Sequence, residues 1–467
     1  MKVRTRFAPS PTGFLHIGGA RTALYSWLFA KKYKGSFILR IEDTDIKRLS
    51  SNAVKSIIDS LKWLGITWDE GPFFQIDKLS YYQNIIRSMI SNGQAYKCYC
   101  SKERLENIRK LQISKNKKPK YDRKCRKNKI FYKKNQSYVV RFKNPLKGSV
   151  IVKDQIRGNI IFQNKELDDL VIQREDGLPT YNFCVVIDDR DMNITHIIRG
   201  EDHINNTPRQ INIMNSLGIN IPSYAHLSLI VDEKGKKISK RNNLVDVMSY
   251  HKKGYLPEAL LNYMFRLGWS NGNREIFSIE EVKEVFDLKD ISSSSSMFDM
   301  EKLSWYNRYY MKKISIDRLV LLLKNQFLIM NINIKFGPDL KELIKLLRFR
   351  FSTVKDMANE CKIFYKENII LKDLNKQYIH LNTNAVVFCF YKKIKNIKSW
   401  DIESISFALK KVVEKFKINF KELAIPLRII LTGKENFFSI NTIVFLLGKD
   451  VVLLRIKKGL NWISGTI

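Results

Sequence analysis

Two stretches of this sequence carry side chains suited to work on a phosphate. The first is Arg6-Phe7-Ala8-Pro9-Ser10-Pro11-Thr12-Gly13-Phe14-Leu15-His16-Ile17-Gly18-Gly19. Its small residues, Pro9, Thr12, Gly13, Gly18 and Gly19, let backbone come close to an anion, and a helix starting there would turn unpaired N–H groups toward it. His16 adds a side-chain donor. The second stretch is Lys236-Lys237-Ile238-Ser239-Lys240-Arg241, about 220 residues later, in a turn signalled by Asp232-Glu233-Lys234-Gly235. Singly, each has an ordinary reading: a histidine beside glycines commonly sits in a turn or core, and a basic loop is commonly a solvated one. Together they offer donors and cations to a phosphate from two sides.

Something must hold these stretches opposite each other. Residues 1–95 alternate short apolar strands, 3–8 and 36–41, with a helical run over 20–33, the βαβ rhythm of a parallel sheet. From 96 to 183 the rhythm breaks into a lysine-rich loop and hairpin-like strands over 137–142 and 149–162, as in an insertion. Alternation returns over 184–240, helices and loops mix over 241–310, and beyond that the pattern is helical. Leu340, Leu343, Ile344 and Leu347 there share one helix face.

A chain of 467 residues exceeds a single core and predicts several domains. Its 44% hydrophobic content predicts folding throughout. Lys plus Arg at 82 against Asp plus Glu at 46 gives +36, enough to draw in a polyanion such as nucleic acid. Abundant Lys, Ile and Asn all along the chain assign part of that excess to the drift of an AT-rich genome. Residues 109–134 contain 13 basic residues and one acidic, Asp122, which fits a solvated loop or a dock for an RNA backbone. The first residues carry no apolar signal region, no segment is apolar enough to span a membrane, and six scattered cysteines suggest no disulfide framework; a cytoplasmic protein is expected.

The paired His-Gly-Gly and K-I-S-K-R stretches resemble the signatures of class I aminoacyl-tRNA synthetases. Leu39-Arg40-Ile41-Glu42-Asp43-Thr44-Asp45, Trp68-Asp69-Glu70-Gly71-Pro72, Pro179-Thr180-Tyr181-Asn182, Asp188-Asp189 and Arg199-Gly200-Glu201-Asp202-His203 stand in the order of the bacterial glutamyl-tRNA synthetases. The resemblance runs from residue 1 to about 310 and resumes at Pro426-Leu427-Arg428 and Leu431-Thr432-Gly433. It implies glutamate and ATP as substrates, Mg²⁺ accompanying ATP, and the glutamate tRNA as partner of a monomer. It places His16, Lys237 and Lys240 as catalytic groups on the phosphates, with Pro9, Thr12, Gly13, Gly18, Gly19, Ile238, Ser239 and Arg241 also binding ATP. Arg6, Tyr181 and Arg199 would surround glutamate, with Ser10 and Glu42 near its amino end. An arginine fork suits a side-chain carboxylate, whereas a neutral glutamine amide would not compensate that charge.

The resemblance further implies a Rossmann-like catalytic domain (1–95 and 184–240) split by an α+β insertion for the tRNA acceptor end (96–183). A connecting α-rich domain (241–310) and an α-helical anticodon-binding region (311–467) would follow. Glutaminyl-tRNA synthetases share the signatures but end in β-barrels, against the helical pattern here. A basic RNA-binding protein on a decayed synthetase fold is the other alternative. Cys98, Cys100 and Cys125 match three of four ligands of a zinc site in some members, but Lys127 stands in the fourth place and no histidine lies between residues 17 and 195, so no bound zinc is expected.

Overall fold

The computed structural model describes residues 2–45, 50–127, 136–237, 246–367, 369, 371, 379, 380 and 382–464. Of the expected functional segments, 128–134 of the basic run and Ile238, Ser239, Lys240 and Arg241 lie outside the described residues. The chain forms two units: Met1–His251 with Pro257–Leu303, and Lys252–Leu256 with Ser304–Ile467.

The first unit opens with β1 (Arg4–Phe7), α1 (Ile17–Lys32), β2 (Ser36–Ile41), α2 (Ser51–Trp63), β3 (Glu70–Phe74) and α3 (Leu79–Ser91). The three strands run parallel in the order β1-β2-β3. Every residue of β2 is buried, as in a parallel strand covered on both faces. Helix α1 is buried almost all round, from Ile17 to Ala30.

The chain then leaves the sheet. β4 (Ala95–Cys98), α4 (Lys102–Ser114), β5 (Val139–Phe142), β6 (Ser149–Asp154), β7 (Gly158–Gln163) and β8 (Val171–Gln173) precede α5 (Tyr181–Asp191), β9 (His196–Gly200), α6 (Thr207–Ser216) and β10 (Ser223–Leu227). β4, β5 and β8 form a small antiparallel sheet, whereas β9, β10, β6 and β7 form a second sheet in the order β7-β6-β10-β9. Arg4 stitches the two main sheets together, because Thr195 N donates to its carbonyl at 3.0 Å and its own N–H donates to Thr195 Oγ1 at 2.8 Å.

Two expectations are corrected here. The strand near 137–142 pairs with β4 and β8 and forms no hairpin with its successor. The true hairpin, β6–β7, joins the main sheet, since β6 pairs in parallel with β10 at Tyr224 and Asp154 and so covers an edge that would otherwise expose unpaired backbone. The lysine-rich stretch also begins inside α4 rather than in a loop. After β11 (Ile230–Val231) come α7 (Val247–Lys252), α8 (Pro257–Arg266), α9 (Ile279–Val285) and β12 (Ser296–Met297), which pairs with β11.

The second unit is helical among its described residues: α10 (Met300–Lys313) belongs to it from Ser304 onward, and α11 (Ile316–Ile329), α12 (Leu340–Leu347), α13 (Val354–Cys361), α14 (Thr383–Lys395), α15 (Ile402–Phe416), α16 (Phe420–Thr432), α17 (Ile440–Leu447) and α18 (Lys449–Ser464) follow. Leu340, Leu343, Ile344 and Leu347 are buried together on α12, as their spacing predicts. No described helix is long and apolar enough to cross a membrane.

Candidate active site

Between the ends of β1, α1 and β9 lies a cleft of about 490 Å³. His16 forms one wall as the N-cap of α1: its Nδ1 accepts from Gly19 N at 3.0 Å. That contact assigns the ring proton of the neutral imidazole to Nε2. Gly18 and Gly19 are small because the ring lies over the first turn; a Cβ on Gly18 would sit 3.2 Å from His16 Cε1 and Nδ1. The first turn of α1 carries no acidic residue, so the positive end of the helix is uncompensated by the chain itself. Pro9, Ser10, Thr12 and Gly13 line the same cleft. Pro9 O accepts from Glu42 N at 3.0 Å, which ties the end of β1 to the end of β2.

The opposite wall carries the arginines. Arg6 is buried, and its Nε and Nη2 donate to Asp189 at 3.2 and 3.5 Å. Asp189 also takes Arg40 Nη1 at 2.8 Å. Arg40, fully buried, lies 3.5 Å from Glu42 and 3.6 Å from Asp188. Burial raises the Asp189 carboxyl, but Arg6 and Arg40 outweigh it and hold the group below its ordinary range. Glu42 has less help: burial pushes its pKa up to about 7 against the pull of Arg40. Asp188 accepts from Gln75 and Tyr82, each at 2.8 Å. The Asp188-Asp189 pair thus anchors the arginine wall.

Arg199 completes that wall from the end of β9. Its Nε donates to His226 Nε2 at 3.3 Å and its Nη2 to Thr207 Oγ1 at 2.7 Å. Tyr181, the first residue of α5, contacts His203 Nδ1 through its hydroxyl at 3.2 Å, and both side chains face the cleft. Burial, with Arg199 adding to it, pushes the His203 pKa down to about 4, so this imidazole is neutral near pH 7.

Of the second signature, Lys237 is described: it lines the cleft, with Nζ 3.2 Å from Asp202 Oδ2. The cleft therefore gathers Arg6, Pro9, Ser10, Thr12, Gly13, His16, Gly18, Gly19, Glu42, Tyr181, Arg199 and Lys237 from segments far apart in sequence. Sequence reasoning gave no role to His203, Asp202, Arg21, Asn206 or Ser228, which also line it. The first two lie in the quoted R-G-E-D-H run, the only signal that could have found them. Arg21 ties the cleft to the following segment by donating to the Leu267 and Ser228 carbonyls.

Residues 2–305 match the model of the tRNA synthetases class I (E and Q) catalytic domain, and 318–460 match an anticodon binding domain. The glutamate–tRNA ligase of Buchnera aphidicola subsp. Acyrthosiphon pisum (strain APS) is 52% identical over 99% of this chain and 100% of its own. The chain belongs to the glutamate–tRNA ligases of class I. That of Wigglesworthia glossinidia brevipalpis is 50% identical over 99% of this chain and 98% of its own. The solved glutamate tRNA ligase of Elizabethkingia meningosepticum CCUG26117, in complex with its amino acid, is 31% identical with a TM-score of 0.87, each chain covered to 99%. In glutamate–tRNA ligase terms the cleft offers a helix N-terminus and a neutral imidazole donor at one end. At the other it offers two buried guanidiniums, which can grip a carboxylate in a planar fork.

Three of the six thiols of this ligase come together outside the lining of the cleft. Cys98, Cys100 and Cys125 lie within 4.8 Å of one another. The Tyr121 hydroxyl lies among them: Cys98 donates to it at 3.2 Å, Cys100 Sγ is 3.5 Å away and Cys125 N donates at 3.0 Å. Lys127 is exposed.

Proposed function

We propose that the cleft of the first unit performs both steps of glutamate–tRNA ligation. The glutamate α-carboxylate attacks the α-phosphate of ATP, releasing pyrophosphate, and the terminal ribose hydroxyl of tRNA(Glu) then takes the glutamyl group from the adenylate. Support comes from one observation above all: two buried arginines, Arg6 and Arg199, share a cleft with a His16-capped helix N-terminus. The arginines, with Tyr181, take the carboxylates of glutamate, and Ser10 and Glu42 its ammonium. His16, Lys237 and Lys240 face charge growing on the phosphates, so they stabilise the transition state more than the ground state. No protein nucleophile takes part; position and electrostatics supply the rate. ATP enters with Mg²⁺, whose charge offsets that of the triphosphate. Pro9, Thr12, Gly13, Gly18, Gly19, Ile238, Ser239 and Arg241 shape the nucleotide site.

Residues 96–183 hold the acceptor end, 241–310 connect, and 311–467 read the anticodon, in a cytoplasmic monomer. The experiment is ATP–pyrophosphate exchange, run with glutamate or glutamine and with or without tRNA(Glu). Exchange that ignored glutamate under every condition would sink the reading. The Cys98–Cys100–Cys125 cluster is read as packed thiols with no resident zinc, since an exposed lysine stands at 127 and Tyr121 already engages the sulfurs. Metal analysis should give far less than one zinc per chain; stoichiometric zinc that vanishes on Cys98→Ala would overturn this.

A further inference from the structure

Arg199 reaches the cleft with two of its three side-chain nitrogens already hydrogen-bonded. Nε goes to His226 and Nη2 to Thr207, while among the described residues the buried Nη1 has no partner. Nη1 is the donor left for a ligand.

The acceptor at Nε is set from further back. An arginine Nε–H only donates, so His226 Nε2 must present a lone pair, and the imidazole must be neutral with its proton on Nδ1. Nδ1 lies 2.6 Å from Asp154 Oδ2, and both side chains are fully buried. Burial drives the His226 pKa down, in keeping with the neutral ring. Asp154 Oδ2 also accepts from His226 N at 3.0 Å, and Oδ1 accepts from Ile156 N and Arg157 N at 3.0 and 2.9 Å. Every neighbour of this carboxylate is a donor, which keeps it ionised despite burial, below its ordinary pKa. Asp154 stands at the end of β6, in the segment that interrupts the two halves of the catalytic sheet, and pairs with β10 at Tyr224.

We propose that Asp154 and His226 are positioning residues: the carboxylate fixes the histidine tautomer, and the histidine aims Arg199 so that Nη1 meets a substrate carboxylate. The proposal rests on Arg199 being a glutamate contact. It makes the interrupting segment a structural part of the amino acid pocket.

Asp154→Asn is the sharp variant. An amide cannot accept on both sides; with its oxygen kept by the Ile156 and Arg157 N–H groups, its NH₂ faces His226. The ring must then accept at Nδ1 and carry its proton on Nε2, against Arg199 Nε–H and toward Thr207 Oγ1, which lies 3.0 Å from Nε2. His226→Gln retains one donor and one acceptor, whereas His226→Leu retains volume and neither. Steady-state exchange kinetics and thermal melts should be measured for these three, for Arg199→Ala, and for Arg199→Ala combined with Asp154→Asn. The expected result is a glutamate KM raised about ten- to a hundredfold in Asp154→Asn and His226→Leu. The ATP KM should stay near wild type even where the melting temperature falls, since the new NH₂ also faces the buried His226 N–H that Oδ2 accepted. The glutamate KM of His226→Gln should lie between those of wild type and His226→Leu, and Asp154→Asn should add nothing to it once Arg199 is gone. Should Arg199→Ala raise the glutamate KM while a folded Asp154→Asn leaves it unchanged, the relay is wrong and the pocket assignment stands. An Arg199→Ala enzyme with a normal glutamate KM removes both. Parallel rises in both KM values with a lowered melting temperature would reduce Asp154 and His226 to packing.

Discussion

Arg6 meets the cleft with its Nε and Nη2 taken by Asp189, a geometry that leaves the rest of the fork for a substrate carboxylate. Arg6→Ala removes a charge-assisted bond of about 1.5 to 3 kcal/mol and should raise the glutamate KM about ten- to a hundredfold, with the ATP KM little changed. An unchanged glutamate KM would take Arg6 out of the pocket. Glu42 supplies a pH test. Its pKa is raised by burial to about 7, so its contribution to stability is present below the ordinary carboxylate range and lost as pH rises through about 7. Binding of the glutamate ammonium has the opposite preference, since it favours the ionised form. The glutamate KM should therefore climb as pH falls below about 7, approaching tenfold per unit, and Glu42→Gln should raise it and flatten the profile. A wild-type profile flat from about pH 5.5 to 8 would contradict the assignment. At this scale the motif residues were legible because they are contiguous. Asp189 stands in a quoted motif but 183 residues from Arg6, and Asp154 lies 72 from His226, so no local pattern told which side chains these carboxylates aim.

Elements were legible where their boundaries carry local chemistry. β2 begins after Gly35, where a Cβ would meet the Val3 carbonyl at 2.2 Å. The region beyond 311 was read only as helical; its single helices start where Ser315, Asp339, Thr353, Asp401 and Asn419 each accept from a backbone N–H as N-caps of α11, α12, α13, α15 and α16. α4 was missed because it buries no residue and so shows no apolar face. The packing of α18 on α16 was equally invisible. Gly459 lets the backbones close, with the site of a Cβ only 2.4 Å from Ile430 Cγ2. Gly459→Ala should destabilise the second unit by about 1 to 3 kcal/mol through overpacking, despite the better helix propensity of alanine. Thermal or urea unfolding measures it, and an unchanged or raised stability would show that the helices can separate freely.

Over the whole molecule, a net charge of +36 says that a polyanion is attracted but leaves open where it touches. Counterion release separates docking lysines from the rest, because the slope of log K against log salt counts phosphates neutralised rather than total charge. Lys115, Lys117, Lys118 and Lys120 are exposed beyond the end of α4. If this stretch docks on the acceptor arm, changing all four to Gln should lower the slope for tRNA(Glu) by about one to three units and weaken binding. An equal slope and affinity would make it a solvated loop. The sequence by itself determined the family, the strand–helix rhythm of the first unit and the helical second unit. Those rest on contiguous motifs and on periodicity, which a chain carries locally. Only the tertiary structure decided that β6–β7 completes the main sheet, that Thr195 joins its halves at Arg4, and that a buried carboxylate and a neutral histidine stand behind Arg199. Strand order and buried polar pairing are fixed by groups tens to hundreds of residues apart, each satisfied only by the geometry the other creates.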